Sequence, residues 1–414
     1  MPATLDRWLI GAAFHGLQAA AAGADTAAAL FSLTGRSPQD ELMVARSGGF
    51  RKTVLMLQRR TKQIRIPAPK AARVGQIVVA GRLHGLEVLP ADDTRLENNR
   101  VILYFHGGAH CFFSPSMYEW FLGCLAIYAR ARVVAIDYRK APQHPFPAAI
   151  EDAVLAFDWT RERFPTASIA VAGDSAGGNL AFALLVSLAQ SQRELPVACI
   201  GLSPWLLLDL GKIPTVRREH RSDTSKFWGG EVMTSLQRMA AGKDLGDVSR
   251  AMMAGKLHDV VAAQYFQDHP ASDPLVSPLL APEELVRNFP PVLLHAASNE
   301  PLAADSQEMA ALCSRAGVRV ELQLYPETQH CFQLFPKKFP TAARDSMARI
   351  FSFLNTVWPH GHGQGQEQDQ EYEELSEQDC EECEQEHEQE QEQEQREQEQ
   401  RQWQRQRQRQ QQQQ

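Results

Sequence analysis

The chain has 414 residues, of which 44% are hydrophobic, and it carries a formal net charge of −8 at pH 7. Residues 361–414 hold 17 acidic residues and 5 arginines, which leaves the preceding body of 360 residues with a net charge of +4. A body of this length can bury one large core, and its mild basicity gives no evidence for nucleic-acid binding. The sequence contains no run of 18 apolar residues, so we expect no transmembrane segment.

The seven cysteines are odd in number and spread without a disulfide framework, which indicates a reducing compartment. The apolar stretch at residues 9–14 is too short, and its flank too weakly basic, for a secretory signal. We therefore expect a cytoplasmic protein, although the Ala-rich, acid-poor beginning leaves an organellar transit role open.

Three parts are predicted along the chain. Residues 1–72 are Ala-rich and form a predicted helical cap segment, and residues 73–358 form a predicted catalytic domain. In that domain, apolar runs that alternate with helical patterns predict a mostly parallel sheet led by an antiparallel pair. The predicted strands are 76–81, 83–89, 101–105, 131–136, 168–172, 199–202, 291–297 and 318–325. Residues 209–269 interrupt the pattern as a long polar excursion, which we interpret as a second part of a lid.

Two short motifs follow buried strands. His106-Gly107-Gly108 follows the third strand, and consecutive glycines there allow the backbone to present N–H groups to a substrate carbonyl. Gly173-Asp174-Ser175-Ala176-Gly177 lies between a strand and a helix, which is the context of a nucleophile elbow. Ser175 is therefore the candidate nucleophile, and the N–H of Ala176 adds a third oxyanion donor at a helix N-terminus. His106 is expected to brace its loop, and a plain tight turn is the alternative reading of that motif.

A serine hydroxyl needs a base and an acid that orients this base. Where a serine stands on a nucleophile elbow, the acid and then the histidine follow it along the chain. Of the 13 histidines, His330 follows the last predicted strand, which is where we expect the base. Glu300 directly follows the preceding strand and is the first choice for the acid. Asp305 lies in the next predicted helix and is interpreted as a solvated or capping carboxylate. Asp273 lies before the preceding strand begins, which is too early in the chain for the acid. His295 is interpreted as a hydrogen-bonded core residue.

These motifs together resemble the hormone-sensitive-lipase-like group of α/β-hydrolases, which includes bacterial and plant carboxylesterases. The resemblance covers roughly residues 101–354 and also includes the runs 137–147, 203–205 and 273–279. It implies an α/β-hydrolase fold with Ser175 as nucleophile, Glu300 as acid and His330 as base. It further implies an oxyanion hole formed by the N–H groups of Gly107, Gly108 and Ala176, with no cofactor and no metal.

The sequence departs from the group's pattern at two positions of the oxyanion loop and uses a known variant for the acid. Ala109 replaces the usual third glycine, and His110 replaces an aromatic residue and is expected to make the pocket mouth more polar. The glutamate at position 300 is a variant that the group also uses. None of these changes removes a required group.

Three functional readings remain open. The first is a carboxylesterase that acts on small-molecule esters of short to medium acyl chains. The second is an amidase or deacylase such as an arylformamidase-like hydrolase, since the triad does not separate esters from activated amides. The third is a non-catalytic receptor on the same fold, against which the presence of His330 argues. The Gln/Glu/Arg-rich tail, residues 361–414, is predicted to be disordered, and nothing in it indicates a partner.

Overall fold

A computed structural model describes residues 54–55, 58–59, 61–92, 96–97, 99–208 and 257–358. Most of the predicted helical cap, the excursion up to residue 256 and the tail lie outside these residues. The strands are β1 Ala72–Val79, β2 Leu83–Pro90, β3 Arg100–Phe105, β4 Arg132–Ile136, β5 Ser168–Asp174, β6 Ala198–Leu202, β7 Val292–Ala297 and β8 Val320–Tyr325. The α-helices are α1 Glu119–Ala129, α2 Ala148–Arg163, α3 Ser175–Gln190, α4 Leu257–Phe266, α5 Glu283–Val286, α6 Ala303–Arg315 and α7 Pro340–Val357.

These strands form one eight-stranded sheet in the order β1-β2-β4-β3-β5-β6-β7-β8. Strand β2 pairs antiparallel with both β1 and β4, and every other neighbouring pair is parallel. The predicted α/β architecture is confirmed. The ends of the strands agree with the prediction to within two residues, except that β1 begins four residues earlier.

The core lies on both faces of the sheet, as continuous apolar strands require in a parallel sheet. Every residue of β3 and of β7 is buried. Successive residues of β3 face opposite helix layers: Leu103 packs in the core with α2, α3 and α6, whereas Ile102 packs in the core with α1 and α7. None of the helices that the structure describes is long and apolar enough to cross a bilayer.

The prediction of a helical segment that reaches residue 72 is wrong at its end. Residues 64–69 have no regular secondary structure, and Ala72 already belongs to β1. Pro67 and Pro69 explain this difference, because proline cannot donate the backbone hydrogen bond of a helix interior. Within the described part of the excursion, residues 257–266 form the helix α4.

The described chain ends at the amino edge of the sheet. The Trp358 side chain is buried, and its indole N–H donates to the Ser168 carbonyl oxygen at 3.1 Å. The guanidinium of Arg100 lies 5.1 Å from the centre of the indole ring. Ser168 and Arg100 are the first residues of β5 and β3, so Trp358 closes the edge where these parallel strands begin.

Candidate active site

Ser175 lies at the junction of β5 and α3, as the elbow motif predicts. Its φ of 51° places it in the left-handed region, which a residue with a Cβ rarely adopts. Such a strained backbone persists only where the surroundings hold it, and it is common at catalytic positions. The turn is so sharp that the serine leaves the strand and begins the helix within one residue.

The two flanking glycines of the elbow are required by close backbone contacts. A Cβ on Gly173 would lie 2.4 Å from the carbonyl carbon of Gly177, and one on Gly177 would lie 1.9 Å from the Phe105 carbonyl oxygen. No side chain can be accommodated at these distances. The motif therefore packs the start of α3 directly against the ends of β5 and β3.

Glu300 and His330 form a direct pair at the same edge of the sheet. The imidazole Nδ1 of His330 lies 2.5 Å from Oε2 of Glu300, and Oε1 of Glu300 accepts the Ala297 N–H at 3.0 Å. The Glu300 side chain is fully buried, whereas the His330 side chain is 12% exposed. Because β5, β7 and β8 are parallel, the loops that carry Ser175, Glu300 and His330 all leave the sheet at its carboxyl edge.

The loops around Ser175 and His330 are joined through residues 203–205 by two hydrogen bonds. The Cys331 N–H donates to the Ser203 hydroxyl at 3.2 Å, and the Trp205 N–H donates to the Ser175 carbonyl oxygen at 3.0 Å. Cys331 and Ser203 both have positive φ values, 51° and 48°. The segment 203–205 thus connects the nucleophile's turn with the loop of His330.

The predicted role of Gly107 in the oxyanion hole needs correction. Its N–H donates to the Asp174 carboxylate at 2.8 Å, so this donor is already engaged. A Cβ on Gly107 would lie 2.3 Å from the same carboxylate. Glycine is required here because it lets the carboxylate approach the loop.

Asp174 is a buried carboxylate whose role the sequence reasoning missed. Besides Gly107, it accepts hydrogen bonds from the hydroxyls of Tyr104 at 2.8 Å and Tyr118 at 3.1 Å. Burial raises the pKa of Asp174 above its ordinary value, and the hydrogen bonds from Tyr104, Gly107 and Tyr118 oppose this rise. A charged residue between an apolar strand and the nucleophile was the signal that could have revealed it.

Three further histidines, His106, His110 and His295, are buried, and their imidazoles are neutral at neutral pH. Burial lowers the pKa of His106, His110 and His295 to about 3 in each case. Nδ1 of His106 lies 2.7 Å from the Gly107 carbonyl oxygen, which confirms that His106 braces its loop. His295 is hydrogen-bonded to the Ser346 hydroxyl at 2.8 Å, as expected for a core residue. The expectation that His110 makes the pocket mouth polar is wrong, because its side chain is fully buried.

The interpretation of Asp305 as a solvated or capping residue is also wrong. Its carboxylate is fully buried and accepts the N–H groups of Leu206 at 2.8 Å and Leu207 at 2.9 Å. Both bonds go to one carboxylate oxygen. Asp305 therefore fixes the segment that follows β6 against the start of α6.

Substituting Asp305 with alanine is expected to lower the free energy of unfolding by ~2–4 kcal/mol, because two buried N–H groups lose their acceptor. Asp305→Asn keeps one oxygen that can accept both bonds and is expected to cost less. Urea unfolding of both variants beside the wild type measures the difference. Equal stability of the alanine variant and the wild type would contradict the structural role of this carboxylate.

Within the residues that the structure describes, no group of three His, Cys, Asp or Glu side chains is arranged to hold a metal ion. The thiols of Cys111 and Cys331 are buried, and burial raises the pKa of both. Both side chains therefore act as packing residues of the interior.

The chain is similar to known proteins in sequence and in fold. The family described as "alpha/beta hydrolase fold" matches residues 102–334. A carboxylesterase/phospholipase, LipF of Mycobacterium tuberculosis, is 32% identical over 260 residues, which are 62% of this chain and 61% of the relative. An acetyl-hydrolase of Streptomyces hygroscopicus is 30% identical over 65% of this chain and 79% of its own length. This chain thus spans about three fifths of LipF.

A solved structure has a similar fold. The crystal structure of EstE7, described as a homologue of hormone-sensitive lipase from a metagenome library, superimposes with a TM-score of 0.57 at 26% identity. The match covers 78% of this chain and 99% of EstE7. The resemblance to the hormone-sensitive-lipase-like group is confirmed, and with more than half of its residues matched, the chain belongs to the alpha/beta hydrolase fold family.

Proposed function

We propose that the protein is a serine hydrolase that cleaves carboxylic esters through Ser175, His330 and Glu300. The observation that carries the proposal is the short contact between the His330 Nδ1 and the buried Glu300 carboxylate, at the sheet edge where the Ser175 elbow stands. A buried acceptor on Nδ1 keeps the proton there, which leaves the Nε2 lone pair available as a base. Relatives named carboxylesterase and acetyl-hydrolase support the choice of reaction.

The reaction follows from these groups. Nε2 of His330 takes the Ser175 proton while the hydroxyl oxygen attacks the ester carbonyl carbon. The negative charge then develops on the carbonyl oxygen, for which Gly108, Ala109 and Ala176 are the proposed N–H donors. The imidazolium returns its proton to the departing alcohol, and an acyl-serine remains. Water, deprotonated by His330, cleaves the acyl-serine to the acid and restores the hydroxyl.

Glu300 holds one imidazole tautomer and stabilises the imidazolium without receiving its proton. Its carboxylate is suited to this task because both oxygens already have donors, His330 and the Ala297 N–H. Such a carboxylate cannot rotate away without leaving a buried donor unpaired. The base is thus fixed in direction before substrate arrives.

We further propose a preference for short to medium acyl chains. The apolar, helical pattern at the start of the chain favours a closed acyl pocket over an open lipid-binding face, and the name of the Streptomyces relative indicates a short acyl group. The name of the LipF relative also includes a phospholipase, which makes a long-chain lipid the principal competing substrate.

A series of p-nitrophenyl esters from acetate to palmitate, with kcat/KM measured for each, tests both proposals. We expect the largest kcat/KM at acetate to octanoate and at least a tenfold fall at palmitate, since each methylene that cannot be buried loses up to ~0.8 kcal/mol. An optimum at palmitate with activation by an emulsified triacylglycerol would identify a lipase instead. Faster turnover of p-nitroacetanilide than of p-nitrophenyl acetate would identify an amidase, and no turnover with any of these would favour a receptor.

A further inference from the structure

A pair of stacked buried rings joins the oxyanion loop to α4. The rings of His110 and Tyr265 lie 3.8 Å apart between centroids, with an angle of 7° between their planes. Both side chains are completely buried. His110 lies two residues beyond Gly108, and Tyr265 lies in the last turn of α4.

The backbone that presents the proposed oxyanion donors is strained. Gly108, Ala109 and His110 have consecutive positive φ values of 111°, 53° and 57°. Two of these residues carry a Cβ, and such conformations persist only where neighbouring contacts hold them. The N–H groups of Cys111 and Phe112 both donate to the Gly108 carbonyl oxygen, which closes the turn on one side.

The ring of His110 holds the other end of this turn through its stack on Tyr265. Because burial lowers its pKa to about 3, the imidazole is neutral at working pH and stacks as an uncharged ring. The His110 carbonyl oxygen accepts the Ala141 N–H at 3.0 Å. The turn is thus fixed by its backbone to residue 141 and by its ring to Tyr265.

Tyr265 is itself held by the same part of the domain. Its carbonyl oxygen accepts the Phe146 N–H at 2.7 Å, and its ring meets the Phe146 ring edge-on at a centroid distance of 5.9 Å. Residues 141 and 146 belong to one short segment between β4 and α2. Each of these elements therefore contacts the other two: the oxyanion loop through His110, α4 through Tyr265, and the segment between β4 and α2 through Ala141 and Phe146.

We propose that Tyr265 is a positioning residue, whose ring holds His110 and thereby keeps the N–H groups of Gly108 and Ala109 directed at the reacting carbonyl. This inference rests on the proposed hydrolase function. It gives the end of the excursion at residues 209–269 a part in catalysis, through its contact with the oxyanion loop. The hydrogen bonds that these N–H groups donate strengthen in the transition state, because the oxyanion develops its charge only there. Loss of the positioning ring should therefore lower kcat more than it changes KM.

Three single variants test the proposal with p-nitrophenyl butyrate as substrate. Tyr265→Leu removes the ring, Tyr265→Phe keeps the ring and removes only the hydroxyl, and Phe266→Leu removes a neighbouring buried ring that does not stack on His110. We expect Tyr265→Leu to lower kcat at least tenfold with KM within twofold of wild type. Tyr265→Phe and Phe266→Leu are expected to keep kcat within twofold. An unchanged kcat in Tyr265→Leu, or an equal loss in Phe266→Leu, would overturn the proposal.

Hydrogen exchange of a peptide that covers residues 107–112 gives a readout that does not depend on turnover. Tyr265→Leu is expected to exchange these amides faster, whereas Tyr265→Phe and Phe266→Leu match the wild type. Equal exchange in all four proteins would overturn the proposal even if the wild type hydrolysed no ester, so the two hypotheses fail separately. If Tyr265→Leu does not fold, His110→Ala removes the same stack from the other side and is expected to give the same losses.

Discussion

The variant Ser175→Ala is expected to lose at least ~10⁴-fold in kcat towards p-nitrophenyl esters, because the attacking oxygen is gone while the binding groups remain. His330→Ala is expected to lose a similar factor. The double variant is then expected to be no slower than either single variant, since members of a triad act as a unit. A loss of kcat in the double variant equal to the product of the two single losses would show that the two side chains act independently.

The control for this experiment is Ser187→Ala, which removes the hydroxyl of another serine in α3, three turns beyond the nucleophile. Its kcat is expected to equal that of the wild type. A fluorophosphonate should label the wild type and Ser187→Ala on Ser175 and leave Ser175→Ala unlabelled, as peptide mass spectrometry will show. Esterase activity in a carefully purified Ser175→Ala protein, or a label on another residue, would rule out Ser175 as nucleophile.

Glu300→Gln is expected to lower kcat by ~10³–10⁴-fold, the scale on which loss of the correct histidine tautomer acts. Each carboxylate oxygen of Glu300 faces a donor, one at His330 and one at Ala297. A carboxamide offers only one acceptor, so one donor must face an NH₂ group. If the NH₂ group faces His330, the imidazole is driven into the tautomer that cannot accept the Ser175 proton.

Glu300→Asp serves as the first comparison, because it keeps two acceptors and shortens the reach by one methylene. We expect its kcat to fall between those of the wild type and Glu300→Gln. Asp305→Asn serves as the second and is expected to leave kcat within about threefold of wild type, since Asp305 contacts the Leu206 and Leu207 backbone. Measured kcat values in the reverse order, with Asp305→Asn the slower, would assign the acid to Asp305.

The sequence was sufficient to predict the fold and the placement of the principal groups. Continuous apolar strands and the elbow motif are local signals, and the carboxyl edge of a parallel sheet brings together whatever follows its strands. Ser175, Glu300 and His330 could therefore be chosen from their positions after β5, β7 and β8. Residues 64–69 depart from the helical prediction because they contain Pro67 and Pro69, which cannot donate the backbone hydrogen bond of a helix interior.

The errors at the site concern which partner each group has. The engagement of the Gly107 N–H by Asp174 joins residues 67 positions apart, and the bonds of Asp305 to Leu206 and Leu207 span 99 and 98 positions. No local pattern encodes such pairs. His110 shows the same limit, since its burial depends on the stack with Tyr265, more than 150 residues away.

The position of Trp358 has a practical consequence for coupling the protein to a surface. Its indole is attached at Ser168, the first residue of β5, whereas Ser175 follows the last residue of that strand. At ~3.3 Å per residue, the seven steps from Ser168 to Ser175 separate the two points by about 23 Å. A resin or electrode linked just beyond residue 358 would therefore be attached at the edge opposite the nucleophile, which leaves the carboxyl edge of the sheet facing the bulk solution.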